Sequence, residues 1–271
     1  MKLSLEKVSL KKGLRLACAV LALTTGLSGV AKSAEHEWTL AYIPVKGTLY
    51  YDVAVAIPDR IKAATGGRLE ITANASLIKG NRLLEGVRDG LVEMSVPLTG
   101  YYSGTQPLFT ISALPSISES LSDLQKINGS AYGDMVRDLY SDTYNSTELM
   151  NGAFCPQTLF STKPVHTKEA WNGKRFRVNN RGTGLVGDKL GALTVSLSAS
   201  EVLPAMERGV IDGVVTDTCW AYGAGFYTVV KHAADWRLGS VVGFPVLVNK
   251  DAWAKLPEDL QKLARAEFKK I

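Results

Sequence analysis

The chain has 271 residues, enough for one large or two modest domains, with 46% hydrophobic residues and a formal charge of +5. The charge is unevenly placed: six of the 31 basic and one of the 26 acidic residues lie in the first 33, leaving 25 of each beyond them. A stretch with no basic excess cannot displace many counterions, which argues against nucleic acid as a partner.

Residues 1–33 read as an export signal. Lys2, Lys7, Lys11, Lys12 and Arg15 lead an uncharged apolar run over 16–30, and Ala31-Lys32-Ser33 puts small residues at the −3 and −1 positions of a cut after Ser33. The run is too short to span a bilayer comfortably, so a cleaved signal and a periplasmic location are expected rather than a membrane anchor. Arg15 stands three residues before Cys18 and most of the apolar run lies after it, which argues against a lipid anchor there.

Beyond the signal, strands and helices alternate. Residues 38–42 read as a strand. Residues 49–64 read as a helix stopped by Gly66-Gly67. A strand over 68–73, a short helix over 82–88 ended by Gly90 and a strand over 91–97 follow. Residues 120–140 are mostly helical, with a break near Gly129, and 149–154 and 159–162 are extended. Next come strands at 174–179 and 194–197, a helix over 200–208 and a strand over 210–215. A strand at 244–249 and a helix over 257–269 complete the chain. Helices regularly separating strands predict an α/β fold with mainly parallel sheets.

One internal similarity stands out. LLEGVRDGLVEMSV from Leu83 aligns without gaps on VLPAMERGVIDGVV from Val202, with Gly90 on Gly209 and Glu93 on Asp212. Both read helix, glycine stop, strand, the glycine supplying a positive φ. Two similar α/β lobes would produce this, as would recurrence of a common α/β phrase.

The stretch KRFRVNNRGTGLVGDKLGAL, residues 174–193, contains Gly182-x-Gly184-x-x-Gly187, the outline of a dinucleotide fingerprint. The strand before it alternates with charge instead of forming a continuous apolar run. The acid at the right distance, Glu201, belongs to the capping box Ser198-x-x-Glu201. Tight turning and close packing explain the glycines better, and no cofactor is expected. In that strand Phe176 and Val178 face one way, and Arg175, Arg177 and Asn179 the other. Arg177 leaves a backbone fixed by apolar neighbours on both sides, which suits a two-pronged grip on a carboxylate. By pattern alone an ordinary surface arginine is the favoured reading.

Other chemistry finds little support. There is no Gly-x-Ser-x-Gly elbow and no phosphate-binding loop. His36, His166 and His232 are isolated and lack metal spacing, and His232 is expected near the end of a helix. Cys155 and Cys219 lie in no metal pattern, and two buried free thiols are favoured over a bridge. No metal site and no catalysis are expected.

The phrases WNGKRFRV, SASEVLPAMERGVIDGVVTD, AGFYTVVKH, VLVNKDAW and LPEDLQK come in order over 171–263, with GGRLEI and LLEGVRDGLVEMSV in the earlier half. Together they resemble the DctP-type periplasmic solute receptors of tripartite ATP-independent periplasmic (TRAP) transporters. The resemblance implies a periplasmic-binding-protein-like fold of two α/β lobes around a ligand cleft: 34–154 with 244–271, and 155–243. It also implies further C-terminal helices, so the chain reads as a fragment or a shortened version. Arg177 matches the family position that pairs with the ligand carboxylate, and Thr216 the polar contact after the Asp-Gly pair. A second arginine common upstream is replaced by the neutral segment Pro156-Gln157-Thr158, with Gln157 as a substitute contact. Asn179 and Trp220 complete the expected ligand contacts of the second lobe, and Tyr51, Asn81 and Thr99 those of the first. Aromatics near the cleft are expected at Tyr50, Tyr51, Tyr101, Phe154, Trp220, Tyr222 and Phe244. One strong cation among neutral neighbours points to a small monocarboxylate, such as a keto, lactam or aromatic acid. The expected partners are that acid and a TRAP membrane permease, with the receptor a monomer. A secreted hydrolase and a sensory binding protein are the alternatives.

Overall fold

The computed structural model describes residues 34–271; the export-signal reading and Cys18 lie outside the described residues. In chain order the elements are β1 (His36–Ala41), α1 (Leu49–Ala64), β2 (Leu69–Asn74), α2 (Leu83–Arg88), β3 (Met94–Ser95), α3 (Leu108–Ile111), α4 (Leu121–Asn128), α5 (Ala131–Tyr144), β4 (Ser146–Ala153) and β5 (Gln157–Ser161). Then come β6 (Arg175–Val178), α6 (Arg181–Lys189), β7 (Leu193–Ser196), α7 (Ala199–Glu207), β8 (Gly213–Asp217), α8 (Thr218–Gly223), β9 (His232–Ala234), β10 (Gly243–Asn249), α9 (Lys250–Ala254) and α10 (Glu258–Phe268).

Local chemistry sets these limits. Helix α1 starts where the Thr48 hydroxyl accepts from the Tyr51 N–H, and buries Tyr50, Val53, Ala54, Ile57 and Ile61 along one face. Each large apolar side chain buried this way contributes about 1.5–3 kcal/mol. The helical region expected over 120–140 is two helices, α4 and α5, with Gly129 capping the first. The strand expected over 91–97 shrinks to Met94–Ser95, with Leu91 on the surface.

Two five-stranded sheets result, ordered β2-β1-β3-β10-β4 and β7-β6-β8-β5-β9. They share one plan. In the first, β1 runs parallel to β2 and β3, and β10 antiparallel to β3 and β4. In the second, β6 runs parallel to β7 and β8, and β5 antiparallel to β8 and β9. The fold is thus two α/β lobes, but each sheet is mixed rather than mainly parallel. The cause is the double crossing of the chain, at 154–156 and again at 235–242. In each sheet the strand arriving from the other lobe inserts, reversed, between the parallel set and the strand that leaves.

The internal similarity marks equivalent places in this plan. Gly90 and Gly209 follow α2 and α7 with φ +68° and +65°, and a Cβ at either would meet nothing within 4 Å. Backbone conformation, not space, therefore demands glycine at both. Glu93 Oε2 accepts from Thr39 N on the adjacent parallel strand, and Asp212 Oδ2 accepts from Arg175 N in the corresponding place, both at 2.8 Å. The glycines of the fingerprint-like stretch lie inside α6 instead of in a phosphate-binding loop. A Cβ on Gly187 would sit 2.6 Å from Thr194 Cγ2, so glycine lets α6 lie close against β7.

Cys155 and Cys219 form a disulfide with Cα atoms 5.9 Å apart, correcting the expectation of free thiols. Sequence carries no distance information for two lone cysteines; the fold supplies it by bringing the 154–156 crossing beside the start of α8. With the partners 64 positions apart in sequence, the chain-entropy argument assigns the bridge about 4 kcal/mol. The Cys155→Ser/Cys219→Ser double variant is expected to melt about 10 °C lower in a calorimetric scan. A loss under 2 °C would show that the crossing is held by other contacts.

Candidate functional site

Residues from both lobes enclose a cavity of about 80 Å³. The second lobe contributes Arg177 from β6, Asn179 and Asn180 from the turn into α6, Gln157 from β5, Thr216 and Asp217 from the end of β8, and Trp220 from α8. The first contributes Val45, the Thr99–Tyr102 helical turn through Thr99 and Tyr101, and Phe109. Phe154, on the crossing, also lines it. Behind Phe154, Phe244 at 5.1 Å and Tyr50 at 5.9 Å between centroids form an aromatic backing.

Arg177 dominates the site. It is 2% exposed, although arginine is among the residues least often buried. Its Nε donates to Leu197 O at 3.0 Å, and its Nη2 to the Tyr101 hydroxyl at 3.5 Å. Its Nη1 has no partner. The guanidinium lies 5.5 Å from the centre of the Trp220 ring, a cation–π contact. Among the described residues no carboxylate pairs with it, and burial pushes its pKa below the usual arginine value. Arg175, two residues earlier on the same strand, is exposed and paired with Asp212.

The polar wall is organised around caps and cross-strand neighbours. Asn180 caps α6 by accepting from Thr183 N, and its Nδ2 donates to Asn179 Oδ1. Asn179 Nδ2 donates to Gln157 Oε1 at 3.3 Å. Gln157 and Asp217 are cross-strand partners, as are Thr158 and Thr216. Asp217 caps α8 through Oδ1, which accepts from Trp220 N, while its buried Oδ2 has no partner. Burial pushes the Asp217 pKa up to about 6, against the N–H groups of Trp220, Cys155 and Cys219, which favour its charge. The sulfurs of Cys155 and Cys219 also lie near this carboxylate, but as a disulfide they are not metal ligands.

The lobes touch around the cavity. Tyr101 accepts from Ala199 N at 3.1 Å, and Ser103 Oγ from Arg181 N at 3.0 Å. Gly47, two residues past Val45, packs backbone to backbone on Gly223, three residues past Trp220.

Of the expected contacts, the structure gathers Arg177, Thr216, Gln157, Asn179, Trp220 and Thr99 at one cavity. It does not bring Tyr51 or Asn81 there. Tyr51, half-buried, packs on Tyr42 at 5.9 Å between ring centres, and Asn81 is exposed in a short turn before α2. Among the aromatics, Tyr101, Phe154 and Trp220 line the cavity, Tyr50 and Phe244 back it, and Tyr222 is exposed. Sequence reasoning passed over the Tyr101 hydroxyl and Asp217 as contacts. The spacing Asp217-x-x-Trp220 is a helix-start signal that would have revealed α8 and Asp217 with it. His232 opens β9 rather than ending a helix; it meets His166 edge to face at 6.2 Å, and neither lines the cavity.

A family model for the bacterial extracellular solute-binding proteins of family 7, DctP, matches residues 40–271. The chain belongs to that family. Curated relatives of this DctP-family chain include the C4-dicarboxylate-binding periplasmic protein DctP of Rhodobacter capsulatus, 25% identical over 197 residues covering 71% of this chain and 58% of the relative. Another is a monocarboxylate 2-oxoacid-binding periplasmic protein of Nostoc, 26% identical over 223 residues covering 78% and 59%. The chain thus spans about six-tenths of the length of these relatives. A solved receptor of Bordetella pertussis, described as binding pyroglutamic acid, shares the fold with a TM-score of 0.80 at 24% identity, over 86% of this chain and 77% of that one.

Proposed function

We propose that this DctP-family chain is an extracytoplasmic receptor for a small monocarboxylate with a neutral or apolar remainder, which it delivers to a TRAP membrane permease. The observation that carries the reading is Arg177, a buried guanidinium with an unbonded Nη1 and no carboxylate paired with it among the described residues. A buried cation without a counterion is unfavourable, and a carboxylate bound through two parallel hydrogen bonds offsets that cost. The neighbouring polar contacts, Gln157 and Thr216, are neutral, so a second carboxylate would meet no second cation. The pyroglutamate of the Bordetella receptor and the 2-oxoacids in the Nostoc relative's name are compact monocarboxylates of this kind.

Function follows from closure. The lobes 34–154 with 244–271 and 155–243 swing about the crossings at 154–156 and 235–242. Arg177 takes the carboxylate of an entering acid, then Thr216 and Thr99 close around it and water leaves. The ion pair strengthens as the site dries, and the closed form becomes the majority. Export to the periplasm agrees with the relatives' names, and the receptor acts as a monomer that releases its ligand unchanged.

A melting screen of the purified protein against organic acids tests this. Small keto, lactam or aromatic monocarboxylates at a hundred times their Kd should raise the melting temperature by about 5–10 °C. The bound acid should be recovered chemically intact, which separates a receptor from a hydrolase. Stabilisation by dicarboxylates or sialic-type sugars alone would refute the monocarboxylate reading.

A further inference from the structure

Cys155 and Cys219 are joined, but their surroundings are not those of a sealed bridge. Cys219 is exposed and Cys155 half-buried. A carboxylate oxygen of Asp217 lies within 4.8 Å of both sulfurs. The backbone N–H groups of Trp220, Cys155 and Cys219 favour its charge, so the carboxylate is held against both ends of the bridge. Burial outweighs these bonds and pushes its pKa up to about 6. Capping α8 does not explain a buried acid here, since asparagine caps a helix as well. No second charge explains it either. Gln157 across the strand pair and Thr218 and Trp220 on α8 are neutral, and Arg177 on β6, which shares the cavity wall, makes no ion pair with Asp217 among the described residues. The bridge also reaches the cavity at both ends. Phe154 precedes Cys155, Trp220 follows Cys219, and both line it.

We propose that the Cys155–Cys219 bridge is a site of reversible reduction by a dithiol, that Asp217 gates the reaction, and that opening the bridge loosens the cavity wall. A thiolate of the dithiol attacks the exposed Cys219 Sγ. The S–S bond breaks, and its electron pair leaves on Cys155 Sγ. The reductant's second thiol then displaces Cys219 Sγ from the mixed disulfide. The reductant ends as a disulfide, oxidised by two electrons, and its two protons, passed through solvent, end on the two cysteines. When protonated, Asp217 hands a proton to the departing Cys155 sulfur and regains one from solvent. When ionised, it opposes a second negative charge within 4.8 Å in a water-poor site. Reduction is therefore easy below about pH 6 and resisted above it. The fold outlasts the bond, because Pro156 O accepts from Thr218 N at 3.2 Å and from Thr218 Oγ1 at 2.8 Å, which keeps the crossing joined to α8. What is lost is the covalent tie between Phe154 and Trp220. Weaker acid binding in the reduced form rests on the reading of Arg177 given above; the thiol chemistry does not.

Timed reduction of the native protein by dithiothreitol, read by thiol alkylation and mass spectrometry, tests this. The rate should rise in proportion to dithiothreitol and stay flat in sub-denaturing urea, as direct attack on the folded protein requires. Asp217→Asn should be reduced at least about tenfold faster than the wild type at about pH 8, and within about threefold of it at about pH 5. A variant that was merely less stable would be faster at both. In the reduced wild type, hydrogen exchange at the Trp220 amide, which is bonded to Asp217 Oδ1, should quicken at least about tenfold. Saturating pyruvate or 5-oxoproline should slow reduction of the wild type about tenfold, the reciprocal of weaker binding by the reduced form. Reduction that tracks unfolding in urea would overturn the proposal. So would a rate ratio that is the same at both pH values, an unchanged Trp220 exchange rate, or an acid that binds without slowing reduction. If neither acid binds, the carboxylate reading loses its support, and the urea, pH and exchange results decide the redox site without it.

Discussion

Arg177→Met is expected to raise the melting temperature of the ligand-free protein by about 2–6 °C while weakening acid binding by at least about a hundredfold. The two effects have one source. In the empty cavity the guanidinium is buried with an unsatisfied Nη1 and no counterion. Exchanging a buried, uncompensated charge for an apolar side chain of similar length is stabilising by about 1–4 kcal/mol. The lost bonds to Leu197 O and the Tyr101 hydroxyl return part of that. A domain of this size gains roughly 2–4 °C per kcal/mol. With ligand the sign reverses, because the acid's carboxylate would enter a dry wall with no partner. Arg177→Lys keeps the charge but loses the fork, and should weaken binding about tenfold to a hundredfold. A lower melting temperature for Arg177→Met together with unchanged affinity would remove the arginine from the site.

Gly223→Ala should hold the lobes apart. A Cβ there would lie 2.6–2.8 Å from the carbonyl O, C and Cα of Gly47, all backbone atoms that cannot rotate aside. Overpacking of this kind costs about 1–3 kcal/mol, and in the closure proposed above it falls on the closed form alone. Affinity drops in proportion to the closed population, by about tenfold to a hundredfold. The melting temperature without ligand should stay within about 1 °C, since alanine is the better helix former at the end of α8. X-ray scattering should find the liganded variant more expanded than the liganded wild type. Gly104→Ala is the control, because a Cβ there meets nothing within 4 Å. Identical scattering and affinity for both variants would show that the Gly47–Gly223 contact plays no part in closure.

Much of the first-order architecture was legible in the residues. The α1 periodicity, the glycine stops and the helix–glycine–strand repeat are local signals, and local chemistry decides them. The repeat carried more than expected, since Glu93 and Asp212 take equivalent backbone donors in the two lobes. What was not legible is non-local. The reversal of β5 and β10 and the pairing of Cys155 with Cys219 follow from the double crossing, which no short stretch encodes. Alternation put Arg177 and Arg175 on the same face of β6, but it could not distinguish them. One meets Asp212 at the surface, while the other lies beneath the first lobe's Tyr101.

Helix α8 is only six residues long, yet three of its positions do different mechanical jobs. Cys219 ties it covalently to the 154–156 crossing, Trp220 supplies the ring beneath the guanidinium, and Gly223 bears against the opposite lobe. It therefore works as a short lever pinned at the hinge. In the proposed closure, any bend of the crossing carries the aromatic floor and the rim contact with it, so movement at the disulfide is felt where Gly223 meets Gly47.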